Sequence, residues 1–474
     1  MKNFMFRNLL VTVLLFISFA VSAQDNKDTF VYNYNFDVNS DVKVIFDNHY
    51  CNLDVQTSET DKIMFTLTVN VDGDSDDVAK VDNFLKNRKY NATKELVELS
   101  SSVYKSLQGT IIPSVYTSIK VTLPNGDKVK LSKLDVRATL LIPSKASLEL
   151  NSSASNVVLD NLQSLKYNSD NDKVIAKSVK GNTIIDASYS KFKFDNLENV
   201  SLNLFDTDIF AIKAIDIECK SKYSEIEIAQ ISDIVINGFD DKYFFTTLAN
   251  VNLTTKYSNF KANQTKNITI NSYDSDVEVV SSALLSITET KYSTYKFCSA
   301  TSVNITKSFD DKVNINNATN VVTGESKYTS YVFGSINNYS ENNAFDNNYT
   351  INKVNGFKLN NTKYSDIDIE NITDSFFVNG FEDNTNIANT SSAFKEFTVK
   401  GKYQKVKVTI PESLSATIDY KSQYGKCSVP SNKFTLKSES GDTDKQHFVY
   451  AKEGNNPAQF TLEGFTINLN ISTK

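Results

Sequence analysis

The sequence predicts an all-β protein built as a parallel β-solenoid, a single-stranded β-helix of about 12–14 coils of about 18 residues each. Three observations predict this fold. Two aromatic motifs alternate at a fixed spacing, apolar residues alternate within each repeat, and glycine is scarce, with only 14 residues in a chain of 474. The low glycine count excludes the glycine-rich calcium-binding solenoids, whose repeat needs glycine at fixed positions.

The two motifs differ in the residues that flank the aromatic ring. The first is a lysine, a tyrosine and a small polar residue, and the second is an aromatic residue followed by an acid. Twelve steps lead from Tyr189 to Tyr403, which makes each step about 18 residues long, a period typical of stacked coils. The first motif begins at Lys222, Lys256, Lys291, Lys327, Lys363 and Lys402, and the second at Phe205, Phe239, Tyr273, Phe309, Phe345 and Phe381.

Each repeat carries two short apolar alternations. Ile226 and Ile228 follow one aromatic motif, and Ile234 and Ile236 precede the next. β-Branched residues at every second position indicate half-buried strands, so Glu227 is expected on the outer face. One coil cannot bury its apolar face alone, so neighbouring coils must stack at about 4.8 Å to form a core.

The regions outside the repeat predict different segments. Residues 1–23 combine Lys2 and Arg7 with an apolar run that ends at Ala23, which is typical of a signal peptide. Residues 24–145 are expected to form a strand-rich cap with one helix, which starts at Asp74 or Ser75 and carries Val78, Val81, Phe84 and Leu85 on one face. Residues 146–403 hold the solenoid repeats, and residues 404–474 form further β coils and a C-terminal cap.

Composition limits the partners. Without residues 1–23 the chain has 474 − 23 = 451 residues and, without Lys2 and Arg7, a formal charge of −8 instead of −6. Mild acidity with interspersed charges argues against nucleic acid, which needs a basic patch. No later stretch has the roughly 20 apolar residues of a membrane-spanning helix. We therefore expect an extracytoplasmic protein, located in the periplasm, on the outer surface or secreted.

The four cysteines predict neither a metal site nor a cofactor. Cys51, Cys219, Cys298 and Cys427 lie far apart, with only two histidines in the chain. We expect buried, unpaired thiols, with one disulfide as the alternative in an oxidising compartment.

The chain resembles the exported bacterial putative-adhesin domains of unknown function. Its strand pairs before residue 72, the helix from about Asp74, and the segment Leu141-Ile142-Pro143 look like the start of such domains, and the aromatic repeats look like their β-helical body. Serine follows the repeat tyrosine here, where these proteins usually have glycine. The resemblance implies a single-stranded β-helix outside the cytoplasm.

Catalytic chemistry has few candidates. His49 and His447 stand in no catalytic spacing, and no nucleophile elbow or P-loop occurs. The paired acids Asp240-Asp241 and Asp310-Asp311 belong to the repeat, so we interpret them as solvated turn residues, with weak surface calcium binding and carboxylate catalysis as alternatives. The chain is expected not to be an enzyme; the alternative is a carbohydrate-active enzyme, a lyase or glycoside hydrolase, on a β-helix.

The expected function is that of an exported adhesin-like or cell-envelope scaffold protein that presents a repetitive polar surface to a glycan or protein partner. The aromatic column has two interpretations, a stack that supports the coils or a surface that binds sugar. If the aromatic residues are in register, charges of both signs flank one corner of the solenoid. The candidate binding residues are Lys222, Lys256, Lys291, Lys327, Lys363, Asp240 and Asp310.

Overall fold

The computed structural model describes residues 28–108, 119–442 and 444–474. The predicted signal peptide, residues 1–23, lies outside them. The protein is almost entirely β, with 76% of residues in strands and 3% in helix. It divides into two compact units: residues 33–67, 88–102 and 136–474 form the larger one, and residues 28–32, 68–87, 103–108 and 119–135 belong to the smaller one.

The solenoid body consists of long strands, one per coil. Their bounds are Lys173–Ser188, Lys191–Phe205, Asp208–Lys222, Glu225–Phe239, Lys242–Lys256, Asn259–Tyr273, Asp276–Lys291, Thr294–Phe309, Lys312–Lys327, Ser330–Phe345, Asn348–Lys363 and Asp366–Phe381. Before them come Thr29–Asp37, Lys43–His49, Asn52–Ser58, Lys62–Gly73, Asn91–Ala92, Leu96–Ser100, Ser106–Gln108, Ile119–Thr122, Lys128–Pro143, Ser147–Ser153, Asn156–Leu159 and Ser164–Asp170. After them come Asn384–Thr390, Glu396–Lys402, Lys405–Ile410, Ala416–Gln423, Lys426–Ser428, Thr435–Gly441, Lys445–Lys452, Ala458–Phe465 and Asn468–Thr473.

The predicted parallel solenoid is confirmed by the register of these strands. Each long strand pairs in parallel with the next, so Ile226 lies opposite Tyr243 and Ile228 opposite Phe245. Ile226 and Ile228 are fully buried and Glu227 is exposed, as the alternation predicts. Like positions therefore stack in columns, and the inward columns form the core.

One detail of the prediction is wrong: each coil holds one strand of 15 or 16 residues instead of two short strands. The buried residues explain how such a strand bends. Ile226 and Ile228 are two positions apart, but Ile228, Ile231 and Ile234 are three apart. A step of three keeps the apolar side chain inward only if the chain turns there. Because pairing to the next coil resumes after each skipped residue, the strand continues around the bend.

Between Ser190 and Asp383, the coils have two lengths that differ by one residue. Hydrogen-bonded corner residues of neighbouring coils are 17 positions apart between Ser190 and Ser275 and 18 positions apart just after Ser275. The change occurs at Thr288, which has no partner in the register with the preceding coil. Its hydroxyl donates a 3.1 Å hydrogen bond to the carbonyl oxygen of Ile270. The next coils keep the extra residue, so the register is restored from that point on.

The smaller unit contains the single predicted helix. It spans Ser75–Lys86 with Asp74 as the N-cap residue, and Val78, Val81 and Leu85 are buried while Phe84 is half-buried. Acids in the first turn and Lys86 in the last turn suit the helix dipole. The Asp77 carboxylate accepts hydrogen bonds from Lys80 and from the backbone N–H of Lys130.

Parallel stacking begins before the repeat can be recognised in sequence. Lys43–His49 pairs in parallel with Ser147–Ser153, and Asn52–Ser58 pairs in parallel with Asn156–Leu159. Residues 43–58 therefore form a coil, although they lie in the segment predicted to be a cap. The domain limits inferred from sequence stay a prediction.

The end of the chain forms a coil that is out of sequence order. Within this C-terminal coil (residues 458–473), Ala458–Phe465 pairs in parallel with Glu396–Lys402 on one side and with Ala416–Gln423 on the other. Asn468–Thr473 likewise lies between Lys405–Ile410 and Lys426–Ser428. The last coil thus occupies a place between two coils that precede it.

An antiparallel hairpin completes this end of the sheet. Lys445–Lys452 pairs with Ala416–Gln423 and with Thr435–Gly441, whose residues are all exposed. Polar and charged side chains on an outermost strand reduce pairing with other chains.

The four cysteines are free, as expected. Cys51 and Cys219 are buried and Cys427 is half-buried, but Cys298 is exposed, so the expectation of burial is wrong there. Among the described residues, no helix is long and apolar enough to cross a membrane.

Candidate functional site

The candidate site is the sharp corner at which each long strand ends and the next begins. Three consecutive residues make the corner of each coil between residues 188 and 404: an exposed or half-buried residue that ends the strand, a residue with positive φ, and a buried polar residue. We call the first two columns the outer ladder and the third the inner ladder. From Tyr189 to Tyr403, the positive-φ residues of the outer ladder are Tyr189, Asp206, Tyr223, Asp240, Tyr257, Asp274, Tyr292, Asp310, Tyr328, Asp346, Tyr364, Glu382 and Tyr403.

The expected register of the aromatic residues is wrong by one position. Lys222 pairs with Phe239, and Phe239 pairs with Lys256 in the following coil. The next residues, Tyr223 and Asp240, share the positive-φ position, with φ of 59° and 56°. Lysine therefore alternates with an aromatic residue in one column, and tyrosine alternates with an acid in the other. All seven candidate residues lie in the outer ladder.

The offset joins the rings into one zigzag. Phe205, Tyr223, Phe239 and Tyr257 contact one another in succession, at ring-centroid distances of 5.7, 5.9 and 5.4 Å and interplanar angles of 77–87°. The same T-shaped contacts continue to Tyr403. The rings therefore support one another along the coils, and Tyr223 keeps 44% of its surface exposed.

Lysines and acids fill the complementary zigzag. Lys222 lies in the coil between those of Asp206 and Asp240, one column away from both. Its Nζ lies 4.8 Å from the ring centroid of Tyr223 and 5.2 Å from that of Phe239, which is cation–π distance. Among the ion pairs of the described chain, none joins an outer-ladder lysine to an outer-ladder acid. Both charges remain accessible to a partner.

The tyrosines occupy a backbone conformation that suits them poorly. A positive φ brings Cβ close to the backbone and costs a residue other than glycine about 1–2 kcal/mol, less for asparagine and aspartate. The alternate coils use aspartate or glutamate at this position, and Asn171 stands there in an earlier coil. The turn itself therefore does not require tyrosine. Ring contacts of about 1 kcal/mol offset the strain, but nearly half of each ring faces solvent.

The inner ladder stabilises the corner from inside. Its side chains accept the backbone N–H of the equivalent residue in the preceding coil, as in Thr207 to Ser224 at 3.2 Å and Ser224 to Asp241 at 2.7 Å. The Ser224 hydroxyl also donates to the carbonyl oxygen of Lys222. These contacts satisfy polar groups that the turn would otherwise bury without partners. The buried members are Ser155, Asp172, Ser190, Thr207, Ser224, Asp241, Ser258, Ser275, Ser293, Asp311, Thr329, Asn347, Ser365, Asp383 and Gln404.

The interpretation of both paired acids as solvated turn residues is wrong for the second acid of each pair. Asp241 and Asp311 are 2% and 1% exposed. The Asp241 carboxylate accepts hydrogen bonds from the Ser221 hydroxyl, the Tyr243 hydroxyl and the backbone N–H of Ser224 and Phe239. Burial raises its pKa in spite of these donors. The paired acids therefore do not converge at the surface, as a carboxylate catalytic pair would require.

Glu341 is a buried acid that the sequence analysis missed. It takes an inward position in the column between Thr323 and Leu359. Its Oε2 accepts hydrogen bonds of 2.6 Å from the hydroxyls of Tyr339 and Tyr349, and its Oε1 accepts one from Ser326. Burial raises the pKa of Glu341 to about 7. The signal in the sequence is an acid at a position where neighbouring repeats carry an apolar residue or threonine.

His49 ends its strand at the same corner in an early coil, where Tyr50 follows with a positive φ, whereas His447 lies on the C-terminal hairpin. His49 Nδ1 is 2.6 Å from the Ser153 hydroxyl, and His447 Nε2 is 2.9 Å from Asp419. Within the described ranges, no three histidine, cysteine or acidic side chains gather into a metal-binding group.

Comparison with known proteins gives two structural neighbours. One is a putative adhesin from Parabacteroides merdae; the alignment covers 56% of this chain and 95% of the adhesin chain, at 11% identity and a TM-score of 0.29. The other is a putative cell adhesion protein from Clostridium sporogenes; the alignment covers 94% of this chain and 100% of that protein's chain, at 8% identity and a TM-score of 0.15. No protein-family model and no curated protein sequence matches this chain. The assignment of the solenoid fold rests on the strand register described above.

Proposed function

We propose that this chain is an exported adhesin-like or cell-envelope scaffold protein that binds its partner, a glycan or another protein, along the outer ladder. The observation that carries the proposal is the row of half-exposed tyrosines in a strained backbone position. Tyr223, Tyr257 and Tyr292 are 44–47% exposed, although the alternate coils form the same turn with an acid. Strain that the turn does not require is typical of functional positions.

The repetition of the outer ladder suits binding through many weak contacts. A partner that is long enough meets the same lysine, acid and ring in every second coil, so each added coil pair contributes to avidity. Single exposed charge contacts contribute less than about 1 kcal/mol and weaken with salt. Binding should therefore be sensitive to salt and to partner length.

The test is to reverse the charge of the five lysines of the candidate site. In the variant, Lys222, Lys256, Lys291, Lys327 and Lys363 are each replaced by glutamate, and binding to whole cells and to cell-envelope glycans is measured together with the thermal unfolding midpoint. The matched control makes the same change at five exposed lysines elsewhere in the larger unit, Lys180, Lys213, Lys266, Lys296 and Lys353.

The expected result is loss of binding in the first variant at an unchanged unfolding midpoint, with binding retained in the control. Equal binding by both variants would contradict the proposal. If the unmodified protein binds neither cells nor glycans and the five-lysine variant has a lowered unfolding midpoint, the ladder has only a structural role.

A further inference from the structure

We infer that the outer ladder binds a proline-rich polypeptide segment in the polyproline II conformation, laid along the corner of the solenoid. The inference rests on the proposed function and names the class of partner. Three features of the corner carry it: its backbone hydrogen bonds, its axial period and the chemistry of its exposed groups.

The backbone of the corner is already paired within the solenoid. The N–H of Tyr223 donates to the carbonyl oxygen of Phe239 at 3.1 Å, and the N–H of Asp240 donates to that of Lys256 at 2.9 Å. The same bond recurs between neighbouring coils along the ladder. A partner therefore cannot add to this corner as a β-strand, because strand addition needs free N–H and C=O groups. Recognition must occur through side chains.

The axial period of the ladder matches a polyproline II helix. Each tyrosine, acid and lysine recurs in every second coil, which is about 9.6 Å at the coil spacing of parallel strands. A polyproline II helix has three residues per turn and rises about 9.3 Å per turn. The two periods differ by about 2 Å after six turns. The side chains on one face of an extended strand recur about every 6.6–6.8 Å, so they are out of register with the ladder after a single repeat.

The exposed groups of the ladder suit proline. The hydroxyls of Tyr189, Tyr223, Tyr257, Tyr292, Tyr328, Tyr364 and Tyr403 take part in none of the hydrogen bonds among the described residues. Proline has no N–H, and polyproline II leaves its carbonyl oxygens without internal partners. The tyrosine hydroxyls and lysine ammonium groups supply donors for those carbonyls, and the half-exposed rings supply an apolar surface for the pyrrolidine rings.

The ring geometry favours proline over a sugar. In a T-shaped contact, one ring directs its edge at the face of the other, so every contact along the ladder occupies one ring face. A pyranose stacks on a broad open face, whereas the smaller pyrrolidine rings can pack against the part of each tyrosine ring that stays exposed, as in aromatic-lined grooves that take proline-rich segments. Equal numbers of lysines and acids also favour a partner of low net charge over a polyanion.

The experiment measures binding of oligoprolines to the mature full chain by fluorescence anisotropy. The three probes are long enough for two, four and six turns of a polyproline II helix, and a glycine-serine peptide as long as the longest of them is the control probe. The variant replaces Tyr223, Tyr257, Tyr292 and Tyr328 by asparagine, which tolerates positive φ. Circular dichroism and the unfolding midpoint confirm that the variant folds. Envelope glycans are tested in parallel as competitors.

The expected result is an affinity that rises at least tenfold from the two-turn to the six-turn oligoproline and falls at least tenfold in the asparagine variant, with no binding of the glycine-serine peptide. Absence of oligoproline binding, or binding unchanged in the folded variant, would overturn the inference. Binding of glycans but not oligoproline, lost in the asparagine variant, would overturn it while the proposed function stands. Attachment to whole cells that survives both the tyrosine and the lysine variants would overturn the proposed function as well.

Discussion

The outer and inner ladders are one or two residues apart in sequence and opposite in environment. At one corner, Lys222 and Tyr223 face solvent, whereas Ser224 is 3% exposed and bonded to the coils on both sides. From Ser155 to Gln404, the inner position holds only residues that can accept a backbone N–H: serine, threonine, aspartate, asparagine or glutamine. The two outer positions instead alternate between aromatic and charged residues from one coil to the next. Coil stacking therefore determines the third residue of each motif, while the first two are available for binding.

The largest expected effect comes from a charge placed in the core behind both ladders. Ile226→Asp puts a carboxylate into a column that is fully buried, with no partner, and should destabilise the protein by about 4 kcal/mol or more. The neighbouring coils should unfold with it, because each coil is stabilised only by its neighbours. Limited proteolysis and thermal unfolding measure this. Glu227→Asp, on the exposed face of the same strand, is the control, and equal damage from both would contradict the assigned faces.

The second effect concerns the buried acids and pH. Burial raises the pKa of Glu341 to about 7 and that of Asp383 to about 6, and it raises the pKa of Asp172, Asp241 and Asp311 as well. A folded-state pKa above the unfolded value means that the folded protein binds protons more tightly. The stability contributed by Glu341 is then fully present below about pH 4.5 and lost as the pH rises to about 7, and that contributed by Asp383 is fully present below 3.8 and lost as the pH rises to about 6.

Glu341 alone should account for about 3 kcal/mol of this pH dependence, if its pKa falls to 4.5 on unfolding. Glu341→Gln should reduce the loss of stability between pH 4.5 and pH 8, measured by urea unfolding, while Glu325→Gln at an exposed position should not. Surface acids such as Glu149, whose pKa is lowered by hydrogen bonds from Lys166 and Lys43, act in the opposite direction, below pH 4.5. A stability that rises with pH across the window would contradict the prediction.

The third effect tests the inner ladder directly. Ser224→Ala removes the acceptor for the N–H of Thr207 and leaves that group buried without a partner, which should cost about 1–3 kcal/mol. Ser201→Ala, at an exposed position of a neighbouring strand, should change the free energy of unfolding by less than about 0.5 kcal/mol. Urea unfolding of the two variants makes the comparison. Similar losses would mean that the inner ladder contributes nothing specific.

The smallest effect is expected in the outer ladder. Tyr223→Asn relieves strain at φ 59° but loses ring contacts with Phe205 and Phe239, so the net change should be below about 1 kcal/mol in either direction. Tyr243→Asn is the contrast, because this ring is fully buried and its hydroxyl donates to Asp241. A large loss of stability in Tyr223→Asn would assign the outer tyrosines to folding instead of binding.

Much of the fold could be predicted from the repeat. The spacing of the aromatic motifs predicts stacked coils, and the alternation at Ile226 and Ile228 predicts which side chains face inward; both predictions are confirmed. The average period of about 18 residues does not reveal that the coils have two lengths. They become visible only when strand pairing shows that Thr288 is an added residue with no register partner in the preceding coil.

The candidate site could be predicted only in part. The lysines and acids of the candidate site lie at one corner, but aligning ring with ring places the columns one residue out of register. Asp240 and Asp241 were expected in the same environment, although one is exposed and the other buried. Adjacent residues look equivalent in a motif, and only the direction of the chain at a positive-φ turn separates them.

The sequence by itself determined the period, the inward residues and the chemistry of the corner, because these depend on local spacing and side-chain type. Only the tertiary structure decided how one coil aligns with the next, and that the C-terminal coil lies between two earlier coils. The physical reason is that the alignment depends on hydrogen bonds between residues 17 or 18 positions apart in sequence. The insertion of the last coil depends on strand pairs about 40 or 60 positions apart. No local pattern in the chain encodes such distant pairs.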